Sequence, residues 1–169
     1  MSQIIDNNTQ HTISLLVNNK PGVLIRIALV FARRGFNLDS VVVSPGMEER
    51  FSRMTITASG EPEALVRILQ QLNKLVDVIH AIDHTGEIVV ERELALIKIS
   101  CPPSERTDLL QISDHFKCAS VDISPDHLTL EATGNTEKLD ALVEMVRPFG
   151  IIEMVRTGKV VVTRGIQET

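Results

Sequence analysis

The spacing of apolar residues along the chain switches repeatedly between a period of two and a period near 3.6. Thr12 to Val17 (TISLLV) is short, apolar and carries β-branched residues, which predicts a strand. Asn18-Asn19-Lys20-Pro21-Gly22 is a turn cluster. From Pro21 the period lengthens. Val23, Ile27, Val30 and Phe31, with Leu24 and Ala28, form one stripe, and Arg26, Arg33 and Arg34 fall off it. This predicts an amphipathic helix of about fourteen residues. Pro21 would stand in its first turn, Arg33 and Arg34 in its last, and Gly35 would be a left-handed stop. Phe36 to Ser44 reads as a strand and Pro45 to Arg50 as a polar hairpin loop. Phe51 to Ser59 alternates Met54, Ile56 and Ala58 against Thr55, Thr57 and Ser59, a strand with one wet face. Glu61-Pro62 opens a second helix with Leu65, Ile68, Leu69, Leu72 and Leu75 inward. Val76 to Asp83 closes the unit as a strand.

The second half repeats this order. Leu94 to Cys101 is a strand, Ser104 to Phe116 a helix, Cys118 to Ser124 and Leu128 to Thr133 a strand pair joined by Pro125-Asp126-His127. Asn135 to Arg147 is a helix ended by Pro148 and Gly150, and Ile151 to Val155 and Val160 to Thr163 supply the last strands. The fold class is therefore α+β: two ferredoxin-like βαββαβ modules. They span 11–86 and 93–166, with the junction between Thr85 and Glu93. Each is small, so self-association is expected to contribute to stability.

Composition narrows the chemistry. The chain has 169 residues, with 17 Lys and Arg against 22 Asp and Glu, a formal charge of −5. Neither half is basic, and there is no Tyr or Trp. Nucleic acid therefore lacks both a phosphate-binding surface and stacking platforms. The longest strongly apolar run, Ile27 to Ala32, falls far short of the ~18 residues that span a bilayer. Met1 to Gln10 lacks the basic and apolar regions of a leader, so a cytoplasmic chain is expected. Cys101 and Cys118 form no CxxC pair and read as reduced apolar fillers. His80 and His84 have a metal spacing on a helix, but in a strand they stand ~13 Å apart, so no metal site is expected. No nucleophile–base–orienter set can be assembled from the sequence, so no catalytic residue is assigned. An acylphosphatase-like enzyme on this frame would need an arginine in the first strand–helix loop, where only Lys20 stands.

The informative corner is Asn18 to Asn37. A helix N-terminus leaves backbone N–H groups without acceptors and carries about half a positive charge, so it attracts a carboxylate. Gly22 has no Cβ and permits close approach, and the Asn37 amide both donates and accepts. The same residues also serve as plain turn formers, and chemistry alone favours that simpler reading.

Resemblance shifts the balance. Asn19-Lys20-Pro21-Gly22-Val23-Leu24, Arg26, Phe31 and Arg34-Gly35-Phe36-Asn37-Leu38 resemble the opening of an ACT domain. Ser52-Arg53-Met54-Thr55-Ile56, the run from Gln71 to Val78, the run from Val90 to Ile99, Lys138-Leu139-Asp140-Ala141 and Arg164-Gly165 match further blocks of one family. Over roughly residues 11–166 the chain resembles the small regulatory subunit of acetolactate synthase. The resemblance implies no catalysis by this chain. It implies a homodimer through paired ACT domains, a catalytic large subunit as partner, and feedback inhibition by a branched-chain amino acid, usually valine. Thiamine diphosphate, magnesium and FAD would belong to the large subunit. Carried over by position, Asn19 and the Gly22-Val23-Leu24 backbone would receive the effector's carboxylate, and Asn37 of the facing protomer its polar end. Leu24, Ile25, Leu38 and Ser44 would line or border the pocket. Lys20-Pro21 and Ile25 depart from the family's commonest form, leaving the effector open among valine, leucine and isoleucine. A free-standing ACT-type amino-acid sensor with another partner would share the same pocket. The second module is expected to serve assembly with the large subunit.

Overall fold

The computed structural model describes residues 9–166 and 169, so residues 1–8, where no leader was expected, lie outside the described residues. Packing divides the described residues into two compact units, 9–90 with 160–166 and 169, and 91–159. Residues 160–166, which the pattern placed with the second module, group by packing with the first.

In the first unit, β1 (Thr9–Asn18), β2 (Asn37–Pro45), β3 (Phe51–Gly60) and β4 (Val78–Asp83) form one antiparallel sheet in the order β2-β3-β1-β4. Helices α1 (Val23–Ala32) and α2 (Pro62–Leu72) follow β1 and β3. This is the ferredoxin-like arrangement that the alternating periods predicted. The core gathers Ile13, Leu15 and Val17 from β1, Met54, Ile56 and Ala58 from β3, and Val23, Ile27, Val30 and Phe31 from α1. Leu65, Ile68 and Leu72 of α2 join them. Burial of a side chain such as Phe31 contributes roughly 2–3 kcal/mol.

The boundaries differ from the pattern for local reasons. Helix α1 has ten residues, because its cap Gly22 takes φ +83°, a left-handed conformation that cannot continue a helix. Pro21 therefore stands in the preceding turn, and Arg33 is the C-cap, so neither Arg33 nor Arg34 lies in the last turn. Gly35, at φ +71°, ends the segment as expected. Leu24, assigned to the buried stripe, is 46% exposed. The strand expected from Val76 begins at Val78, because the chain turns at Val76 and Asp77.

The second unit repeats the topology. β5 (Val90–Ser100), β6 (Ala119–Ile123), β7 (His127–Gly134) and β8 (Ile151–Arg156) run in the order β6-β7-β5-β8. Helices α3 (Arg106–Phe116) and α4 (Thr136–Val146) follow β5 and β7. Asn135 caps α4, its Oδ1 accepting the Lys138 N–H at 3.1 Å. The core includes Ala95, Ile97, Ile99, Leu109, Leu128, Leu130, Leu139, Leu142 and Val146, with Cys101 fully buried among them. A last short strand, β9 (Val160–Val162), falls in the first unit's share of the chain. Among the described residues no helix is long and apolar enough to cross a membrane.

Candidate functional site

The corner between β1 and α1 is built from backbone outward. Asn19 donates its N–H to the Arg50 carbonyl at 2.8 Å and its Nδ2 to the Glu49 carbonyl at 3.0 Å, which ties the corner to the β2–β3 loop. The Val23 N–H reaches the Lys20 carbonyl at 3.4 Å, while its side chain is buried in the core. The Leu24 and Ile25 N–H groups take no backbone carbonyl among the described residues. They are the open donors of the helix start. Both side chains are exposed, Ile25 to 66%. The corner thus presents two free N–H groups, a glycine without a Cβ and an apolar rim.

The other assigned residues lie elsewhere on β2. Leu38 is half-buried against the core, and Asn37 is exposed, its Nδ2 donating to Asp39 Oδ1 at 2.9 Å. Register fixes the ends of the sheet: Asn18 pairs with Phe51 and Ser52 with Pro45, whereas Asn37 pairs with Ser59. Ser44 therefore shares the corner's end of the sheet, pairing with Arg53 on the face turned away from the core residue Met54. Asn37 stands at the other end of β2, roughly 27 Å away at the rise of an extended strand. One protomer brings Asn19, Gly22, Val23, Leu24, Ile25 and Ser44 to one end and does not bring Asn37 or Leu38 to them.

Sequence spacing missed an ion pair at the corner. Arg26 of α1 pairs with Asp77, which precedes β4. Both residues fall inside the blocks that carry the family resemblance, but nothing local joins positions 51 apart. A second cluster escaped notice as well. His84 Nε2 lies 2.7 Å from Ser14 Oγ, and Nδ1 lies 2.9 Å from Glu87 Oε2. With Nδ1–H donated to the carboxylate, Nε2 accepts the Ser14 hydroxyl. Ser14 sits mid-strand and buried, so the trio acts as a brace between β1 and the segment after β4. His80 instead lies 3.4 Å from the Thr169 carbonyl, so the two histidines do not converge. Among the described residues no group of three or more His, Cys, Asp and Glu could hold a metal ion. A cleft of about 420 Å³ lies beside the β2–β3 loop, lined by Leu16, Gly46, Met47, Glu48, Phe51 and Arg53, and none of the assigned residues lines it.

In the second unit, burial pushes the Cys118 thiol up from its ordinary value, partly countered by Lys138, which keeps it protonated and unreactive at neutral pH.

Comparison with known proteins addresses both units. The AHAS small subunit-like ACT domain matches residues 13–80, and the family described as the small subunit of acetolactate synthase matches residues 92–165. A probable acetolactate synthase small subunit from Methanothermobacter thermautotrophicus is 46% identical over 156 residues, covering 92% of this chain and 93% of its own. The chain belongs to the acetolactate synthase small-subunit family. Another small subunit, from Mycobacterium bovis, is 45% identical over 92% of each chain. The crystal structure of a small subunit from Thermotoga maritima superposes with a TM-score of 0.83 at 33% identity, covering 94% of this chain and 99% of that one. Membership in the small-subunit family thus extends over both units rather than the ACT domain alone.

Proposed function

We propose that this chain is the non-catalytic regulatory subunit of a cytoplasmic acetolactate synthase. It binds the catalytic large subunit, raises its activity, and confers inhibition by a branched-chain amino acid. Thiamine diphosphate, magnesium and FAD would be held by the large subunit. The observation that carries this reading is the match to small subunits across both units, at 46% identity over 92% of the chain. An ACT domain on its own would fit a free-standing sensor equally well; the second match, at 92–165, favours the synthase subunit.

The effector is placed where two ACT domains pair. Strand β2 is an edge strand, and an unpaired edge invites another strand. Antiparallel two-fold pairing centred near Val41, midway along β2, sets position 37 of one copy opposite position 45 of the other. That operation brings Asn37 of one copy to the end where Asn19, Gly22 and Ser44 of the other stand. Each effector is then clasped by two protomers, with its carboxylate at the α1 start and its side chain against Leu24 and Ile25. A ligand that binds the paired form better shifts the pair's equilibrium, and the large subunit responds to that shift.

Reconstitution tests this. The chain is mixed with the large subunit, and valine, leucine and isoleucine are titrated in a steady-state assay. The expected result is activation, with inhibition by at least one of the three. No activation would defeat the subunit reading, and co-purification with a different protein would favour the free-standing sensor. Gly22→Asp places a carboxylate where the effector's own would sit, at a left-handed position that aspartate tolerates better than most residues. It is expected to retain activation and to lose at least about tenfold in inhibitor potency, the scale of one strong charge contact. A Gly22→Asp holoenzyme as sensitive as the wild type would mean the site is misplaced.

A further inference from the structure

The free N–H groups at the α1 start offer partial charges, whereas an amino acid brings a full negative one. A full positive charge stands beside Gly22, on Arg26. Its Nη1 lies 3.5 Å from where a Cβ on Gly22 would stand, so the guanidinium covers that glycine's open side. The Arg26 side chain is about half exposed, and its Nη2 pairs with Asp77. Asp77 is the anchored member of the pair. It is largely covered, its Oδ1 accepts from Asn18 Nδ2 at 3.4 Å, and its carbonyl accepts the Asn18 N–H at 2.8 Å. Arg26 is the longer, freer member, and among the described residues only its Nη2 takes a hydrogen-bond partner. A cation in the first turn of a helix opposes the helix dipole, so helix stability alone does not favour arginine there.

We infer that Arg26 receives the effector's carboxylate beside Gly22, and that Asp77 is a resident anion holding the guanidinium poised until the ligand arrives. The inference rests on the effector reading above and names the charge that reading lacks. A planar guanidinium grips a carboxylate through two parallel N–H bonds, which an ammonium does not match. Asp77 competes for the same group, so it lowers the fraction of Arg26 free to meet ligand and weakens apparent affinity. The two residues therefore affect binding in opposite directions. A purely structural ion pair would not behave so, because loss of either partner would then weaken binding alike.

The test is calorimetric titration of the full chain with valine, leucine and isoleucine, and with valinamide, which keeps the ammonium and the side chain but has no carboxylate. Arg26→Gln is expected to weaken binding of the preferred amino acid about tenfold or more. Arg26→Lys should recover part of that loss, and Asp77→Asn should tighten binding about threefold. Wild type should prefer valine over valinamide about tenfold or more, and valinamide should not distinguish wild type from the variants. Equal binding by wild type and Arg26→Gln, parallel weakening in Arg26→Gln and Asp77→Asn, or wild-type indifference to the missing carboxylate would each overturn the assignment while leaving the effector site in place. Failure of the wild type to bind any of the three amino acids would overturn the effector reading itself. Should Arg26→Gln not fold, Asp77→Asn and the valine–valinamide comparison on wild type still decide the question.

Discussion

Arg156, at the end of β8, fills its donors with two carboxylates. Its Nε and Nη2 reach Glu93 Oε2 at 3.0 and 2.6 Å, and Nη1 reaches Asp140 Oδ1 at 2.6 Å. Glu93 is buried, and its other oxygen accepts from Thr136 Oγ1 at 2.6 Å. Burial alone would pull the guanidinium's pKa down; hydrogen bonds to Asp140 and Glu93 outweigh it and hold the value above the ordinary one. A basic group raised in this way stabilises below its unfolded value and loses that contribution only as pH climbs through the folded one. The window lies at strongly alkaline pH, so this group adds no slope to stability between about pH 6 and 9. Removing it is another matter. Arg156→Ala leaves Glu93 buried without a counter-charge, which costs about 3 kcal/mol. Urea melts at neutral pH check this, and Arg156→Lys should recover part of the loss. A cost below about 1 kcal/mol would mean that water replaces the guanidinium. Such pairings were not legible in the sequence. Glu93 with Arg156, Arg26 with Asp77, and Ser14 with His84 and Glu87 are joined by sheet register and helix docking, and residue spacing carries no record of either. The glycine corner was legible because its turn chemistry is local.

At the scale of elements, the switch between the two periods placed strands β1 to β9 and helices α1 to α4. In β5 and β7 burial alternates along the strand, which enforces the period of two. In the first sheet the residue types alternate but both faces are covered: Thr12, Ser14, Thr55 and Thr57 are buried beside Ile13, Leu15, Met54 and Ile56, so the wet face expected of β3 is absent. Element ends were less legible. Gly22 delays α1 by its own backbone conformation, and β5 begins at Val90, ahead of the expected Leu94, with its ladder to β7 opening at Glu93. The edge strand β2 is the element on which the effector reading depends. It carries Val41, Val42 and Val43 in succession, and Val43 is 46% exposed. A long apolar edge without lysine or proline in its middle is unguarded against pairing. Val43→Lys adds the guard. It is expected to raise the dissociation constant of the ACT pair about tenfold or more, read by sedimentation, with little change in the melting of the first unit. If the variant self-associates as tightly as wild type, the copies do not meet along β2.

For the whole molecule, two hydrophobic cores in one chain make two packed units on one polypeptide. The proposed effector site uses only the first unit, and the expectation that the second serves assembly with the large subunit is open to test. Its β6 edge exposes all five residues, including Val121 and Ile123, and β8 exposes Ile152, Met154 and Val155. Exposed apolar strands on a small unit are suited to a partner surface. Truncation after Glu91 separates the two roles, with one structural complication. Residues 160–166 and Thr169 pack with the first unit, where the Thr169 carbonyl accepts from Arg53 Nη1 at 2.9 Å. The truncated chain loses those contacts, so its melting temperature should fall by a few degrees, on the scale of about 1 kcal/mol in a domain of this size. Its core residues from Ile13 to Ala81 are all retained. The truncated chain should therefore still bind the effector in calorimetry and still self-associate through β2, yet fail to raise large-subunit activity to the level the intact chain reaches. Full activation by residues 1–91 would show that the ACT unit alone engages the catalytic partner, and the second unit would need another role.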